Sequence, residues 1–175
     1  MNVSPETDSL TLIPSSPEHL LVLIEEPDRF EEFVGLPVDD ALRAFLVSDE
    51  VSPAWLASLR ESSGPDPWRY GFFIVHREAN RVIGTAGFKG PPDTDGVVEI
   101  AYGIVPSFQG RGYATEAAAA LVEYALADAI VHTVRAHTLP EANASTHVLQ
   151  KNGFTHIGTV VDPEDGTVWR WERGP

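Results

Sequence analysis

The chain has 175 residues, a formal net charge of −14 and no cysteine, a length that suits one domain, residues 1–175, with a real core. The acidity argues against phosphate-directed nucleic-acid binding, which needs clustered Lys and Arg, and the lack of cysteine excludes a disulfide framework, a thiolate metal site and a cysteine nucleophile. Met1–Ser9 is polar and acidic and Leu20–Ile24 is far too short to cross a bilayer, so neither secretion nor a membrane span is expected and the cytoplasm is the default location.

Leu10–Ile13 reads as a first strand. Ser16-Pro17 is a helix start, a capping oxygen before a proline at the first helical position, and His19–Glu26 follows as a helix. Phe30–Gly35 adds a turn. Val38–Glu61 carries two helical patterns, the second restarted by Ser52-Pro53. Ser62–Pro67 is a loop. Trp55, Trp68 and Tyr70 either line a substrate cleft or are core and surface aromatics.

Tyr70–His76 and Arg81–Phe88 read as strands about a turn at Glu78-Ala79-Asn80. Gly84 and Gly87 mark a bulge or a close packing point. Val97–Val105 is a third strand of this group, with Val97, Glu99, Ala101 and Gly103 on one face. Ala114–Ala127 is helical, with a stripe of Ala114, Ala117, Ala118, Leu121 and Ala125. Val131–Leu139 is a strand stopped by Pro140. Asn143 or Ser145 caps a helix that ends near Lys151 and Gly153. Phe154–Val161 and Gly166–Glu172 form a last hairpin. Strand, helices, three strands, helix, strand, helix and two strands predict a three-layer α/β (α+β mixed) domain around a mainly antiparallel sheet of about six or seven strands.

The stretch Pro106–Glu116 joins a strand to a helix through Gln109-Gly110-Arg111-Gly112-Tyr113-Ala114-Thr115. Unpaired amides and the positive end of a helix dipole make such a junction an anion site, with phosphate the usual occupant. A dinucleotide fingerprint would need glycine where Thr115 stands, and a nucleoside-triphosphate loop would need Gly-Lys-Ser/Thr. The stretch resembles the acyl-CoA pyrophosphate loop, Gln/Arg-x-x-Gly-x-Gly/Ala, of the GNAT superfamily of N-acetyltransferases, through Gln109, Gly112 and Ala114. Ser145, Lys151, Gly153 and Phe154 resemble the second cofactor segment of the branch typified by ribosomal-protein-alanine acetyltransferases. That segment's asparagine is displaced by one place here, to Asn143, and Leu149 stands where many members carry a tyrosine general acid.

The resemblance implies an acetyl-CoA-dependent N-acetyltransferase, with an acceptor region over about 15–65 and a CoA-binding core over about 97–154. It places the CoA at Ile104, Val105, Gln109, Gly110, Arg111, Gly112, Tyr113, Ala114, Thr115 and Asn143, with no metal. Glu99 is a carboxylate in an apolar strand and must pair, protonate or work. The resemblance makes it the general base; the alternatives are a solvent-facing strand-edge residue or an ion pair with an arginine. Ser145, Asn143 or a water replaces the missing tyrosine, or no acid is needed, since a thiolate of pKa near 8.5 leaves easily.

Neutralising an α-amine at pH 7 costs about 1.4 kcal/mol and a lysine amine about 4.6 kcal/mol. A single weak base therefore favours an α-amine, a protein N-terminus or a small molecule, over other amines. The acidity serves either solubility or attraction of a cationic substrate. A competing reading is a non-catalytic acyl-CoA-binding or sensing module of the same fold. A phosphate-binding regulator of another kind is a third. A homodimer through a sheet edge is left open.

Overall fold

In a computed structural model of the chain, the structure describes residues 4–48 and 51–175. The first three residues of the polar stretch Met1–Ser9, and two positions inside Val38–Glu61, lie outside the described residues. Seven strands form one sheet in the order β1-β2-β3-β4-β5-β7-β6. They are β1 (Leu10–Pro14), β2 (Phe72–His76), β3 (Arg81–Phe88), β4 (Val97–Ile104), β5 (Thr133–Thr138), β6 (Thr155–Asp162) and β7 (Gly166–Arg173). Neighbours pair antiparallel except β4 and β5, which are parallel. A parallel pair needs a crossover, and α6 (Tyr113–Leu126) supplies it.

Several helices start on capping side chains. Ser16 Oγ accepts from His19 N at the head of α1 (Pro17–Glu25), with Pro17 in the first turn. Further helical turns follow as α2 (Phe30–Val34), α3 (Asp40–Leu46), α4 (Pro53–Glu61) and α5 (Pro67–Tyr70). Asp39 caps α3 and Asp66 caps α5. The turn at α5 departs from the sequence reading, which ran a strand from Tyr70. The Asp66–Pro67 start holds Trp68–Tyr70 helical until Gly71, and β2 begins only at Phe72.

The small-residue stripe of α6 lies on the sheet: Ala117, Ala118, Leu121 and Ala125 are fully buried. From the same helix Tyr124 reaches the rings of Phe72, Trp68 and Phe88. The opposite face of the sheet is covered near β2, where Phe73 meets Phe30 of α2 edge-on at 5.5 Å. At Gly84 both sequence alternatives hold. It adjoins an irregular register between β2 and β3, and a Cβ there would meet Gly103 O at 2.1 Å. Among the described residues, no helix is long and apolar enough to cross a membrane.

Candidate active site

The sheet forks at Glu99. β4 and β5 pair at Val97–Thr133, Val98–Val134 and Glu99–Arg135, and there the pairing stops. Beyond it β4 stays on β3 from Ile100 to Ile104, while β5 stays on β7 from Ala136 to Thr138. Lys89 N donates to Glu99 O, and Val105 N to Ile83 O at 2.8 Å, so the odd-numbered positions turn their polar groups to β3. Alternation along the strand then directs the N–H groups of Tyr102 and Ile104 into the fork. The amide of Val105 is engaged with β3, so among the expected cofactor contacts Ile104 presents its N–H to the fork and Val105 does not.

The glycine turn sits at the open end of β4. A 3₁₀ turn, Pro106–Phe108, leads into it, and Gln109 Nε2 donates back to Ile104 O at 2.8 Å. Gly110 and Gly112 have φ of 77° and 85°, a conformation that favours glycine. A Cβ on either would meet nothing within 4 Å. Open space, rather than packing, surrounds them. Gly112 is the N-cap of α6 and offers no side-chain acceptor. Unlike α1, α3, α5 and α7 (Ala144–Lys151), this helix therefore starts with no capping side chain. Its first amides, around Tyr113, Ala114 and Thr115, remain available to an anion. Arg111 is exposed, its guanidinium 5.6 Å from the Phe108 ring centre.

Hydrogen bonds from other parts of the chain anchor this helix start. Tyr113 Oη lies 2.8 Å from His76 Nε2, and Ala79 N donates to His76 Nδ1, so the Nε2–H donates to the tyrosine. Glu116 Oε1 accepts from Thr7 Oγ1 at 2.6 Å and from Ser9 N at 2.9 Å. Asn152, which sequence reasoning missed, is buried and donates through Nδ2 to Val148 O at 3.0 Å and Thr115 O at 3.3 Å, tying α7 (Ala144–Lys151) to α6. Its place next to Gly153 at a helix end was the one available signal.

Asn143 is the N-cap of α7. Its Oδ1 accepts from Thr146 N at 3.0 Å, in a reciprocal capping box. Ser145, the second residue of α7, is exposed and lines a cavity of about 160 Å³ at the fork with Lys89, Glu99, Tyr102, His137 and Asp165. Leu149 is 1% exposed and belongs to the core. Of the cleft aromatics considered from sequence, Tyr70 is buried, Trp68 packs on Phe88, and Trp55 donates through Nε1 to Arg69 O.

Glu99 is held between two groups. Lys89 Nζ lies 3.0 Å from Oε2, and His137 Nδ1 lies 3.1 Å from Oε1. Lys89 also reaches Asp165, in the turn between β6 and β7, at 3.6 Å. Partial burial disfavours the Lys89 ammonium, but the Glu99 hydrogen bond and charge, with Asp165 and Asp162, outweigh it and raise its pKa above the ordinary value. Burial pushes the Tyr102 hydroxyl up to about 12, so it is a neutral donor at pH 7. The arrangement offers a carboxylate, two hydroxyls and free strand amides around a space of about 160 Å³, the size of a cavity that takes one benzene-sized group.

A forked α/β sheet with an uncapped helix start beside the fork is the architecture of an acyl-CoA N-acyltransferase fold. The sequence pattern of the family described as "Acetyltransferase (GNAT) domain" matches residues 9–155. The chain belongs to the GNAT acetyltransferase family. A Bacillus subtilis (strain 168) protein named "Uncharacterized N-acetyltransferase YjdG" is 32% identical over 93 residues, 53% of this chain and 53% of that protein. The match thus spans about half the length of the curated relative. A GNAT-family acetyltransferase from Bacillus anthracis has a similar structure, with TM-score 0.65, 16% identity, and coverage of 98% of both chains. RimL, a ribosomal L7/L12 alpha-N-protein acetyltransferase solved with coenzyme A, has TM-score 0.65 and 17% identity, over 97% of this chain and 96% of its own. At such identities the two structures establish the fold alone.

Proposed function

We propose that this chain is an N-acetyltransferase that moves the acetyl group of acetyl-CoA to a primary amine, a protein N-terminus or a small molecule, by direct attack in a ternary complex. The fork carries the reading: free strand amides and a carboxylate line one opening, and the same strand runs on through the glycine turn to an uncapped helix start. The residues suit the donor. The amides of Gly110 to Thr115 and the Arg111 guanidinium hold the diphosphate. The amides of Tyr102 and Ile104 take the pantetheine arm and polarise the thioester carbonyl, a kind of contact worth roughly 3 kcal/mol. Gln109, Tyr113 and Asn143 hold the loop and the two helix starts in place.

Acetyl-CoA supplies a thioester whose C–S bond breaks as the C–N bond to the amine forms. Glu99 takes the proton from the amine, directly or through a water. Ser145, the exposed hydroxyl at the fork, donates a hydrogen bond to the leaving sulfur, which departs as a thiolate of pKa near 8.5 and takes its proton from solvent. RimL is an alpha-N-protein acetyltransferase, and this, with the lower cost of neutralising an α-amine, supports an N-terminal or small α-amine acceptor.

Mass spectrometry of an amine panel with acetyl-CoA, run on the wild type and on Glu99→Gln, tests this. CoA binding persists in the variant and turnover falls at least about tenfold. Unchanged turnover removes Glu99 from the mechanism. One observation favours the non-catalytic alternative: a buried leucine, Leu149, occupies the usual tyrosine place. A wild type that binds acetyl-CoA and acetylates nothing across the panel selects that alternative.

A further inference from the structure

His137 stands beside Glu99 on β5, and the case for it rests on Glu99 being the base. Arg170 Nε donates to His137 Nε2 at 3.1 Å. A guanidinium has no acceptor, so Nε2 must be the unprotonated nitrogen and the ring proton must sit on Nδ1. Nδ1 lies 3.1 Å from Glu99 Oε1, and the histidine side chain is 6% exposed. That nitrogen is buried and forms no hydrogen bond of good geometry. A buried donor left unmet is costly, and Glu99 Oε1 is the acceptor within reach of it.

The other charged groups nearby are accounted for. Arg135, the register partner of Glu99, is spent on Glu172 through Nε at 2.7 Å. Asp162 and Asp165, in the β6–β7 turn, face Lys89. Lys89 holds the second oxygen of Glu99, but its side chain is 41% exposed and shared with Asp165. The carboxylate thus has one rigid partner and one exchangeable partner.

We infer that His137 is a positioning residue: its Nδ1–H, fixed in that tautomer by Arg170, holds Glu99 Oε1 so that Oε2 turns to the acceptor amine when the amine displaces Lys89. The histidine does not touch the reacting atoms. It sets the angle of the group that does. Tautomer control of this kind is how a buried partner orients a base in other acyl-transfer sites.

Long-range ¹H–¹⁵N NMR of the free protein reads the tautomer without any acceptor. The ring proton is expected on Nδ1 in the wild type and distributed over both nitrogens in Arg170→Met. Kinetics with acetyl-CoA and the tripeptide Ala-Ala-Ala as amine probe give the second readout. His137→Leu keeps the bulk and lacks the donor; kcat falls roughly tenfold while KM for acetyl-CoA stays within about twofold. His137→Asn returns an N–H near the Nδ1 position and recovers most of the rate. A ring proton on Nε2 overturns the inference. So does wild-type kcat in His137→Leu where Glu99→Gln is impaired. An unimpaired Glu99→Gln brings down the base assignment, and this inference with it, and shows in that variant alone.

Discussion

Replacing Gly112 by alanine separates the diphosphate site from ordinary backbone strain. Gly112 has φ of 85°, and a Cβ there meets nothing within 4 Å. The folded chain therefore pays only for a left-handed alanine, about 1–2 kcal/mol. For a protein of this size that lowers Tm by roughly 2–8 °C. The new methyl group also projects into the open space before the uncapped start of α6. If a diphosphate fills that space, at least one charge-assisted hydrogen bond is lost, about 1.5–3 kcal/mol, or roughly 10- to 100-fold in Kd. Gly35 provides a matched control. It too has φ of 85° with nothing within 4 Å of a Cβ, but it caps the far end of α2. Isothermal titration of CoA into both variants, with thermal melts alongside, is the assay. Both lose similar stability, and only Gly112→Ala loses affinity. Equal CoA affinity in the two variants refutes the placement of the diphosphate at this turn.

Tyr102→Phe removes an alkaline liability. The tyrosine ionises near 10 in the unfolded chain and at about 12 in the fold, so its protonated form protects the fold below pH 10 and that protection is lost as pH rises towards 12, by roughly 3 kcal/mol. Thermal melts from pH 9 to 12 should fall less steeply in the variant; parallel curves contradict the burial of the hydroxyl. Asn152→Ala leaves two helix carbonyl contacts unmade and costs about 1–3 kcal/mol, read as a lower Tm; an unchanged Tm shows that the bridge to Thr115 is idle. Leu149→Tyr forces a larger ring into a site 1% exposed, costs about 1–3 kcal/mol and brings no gain in turnover. A faster enzyme would mean that the position opens to the fork.

The strand–glycine–helix junction was legible because each part is local. Gly110 and Gly112 announce positive φ, and the alanine stripe announces a helix that can lie close to a sheet. The helix start at Asn143 was legible for the same reason, since a cap is read within four residues. The α5 turn was misread as loop and strand because aromatic content outweighed the Asp66–Pro67 start. A carboxylate in the apolar strand at Glu99 was a clear signal that something must meet it. What meets it was out of reach: Lys89 comes from the end of β3 and His137 from β5, and neither is a sequence neighbour. Nothing in the sequence around His137 tied it to Glu99. The end of pairing between β4 and β5 left no local mark, because the two strands lie far apart in the sequence and meet only in the fold.

The ladder between β4 and β5 has three residue pairs, and Lys89 reaches over to the β6–β7 turn as a further clasp. The molecule is thus built as two jaws on a short hinge, with the proposed base at the hinge itself. Closing on a long, thin ligand would stiffen both jaws together. Amide exchange would then slow along β7, which faces away from the glycine turn, as well as at the turn.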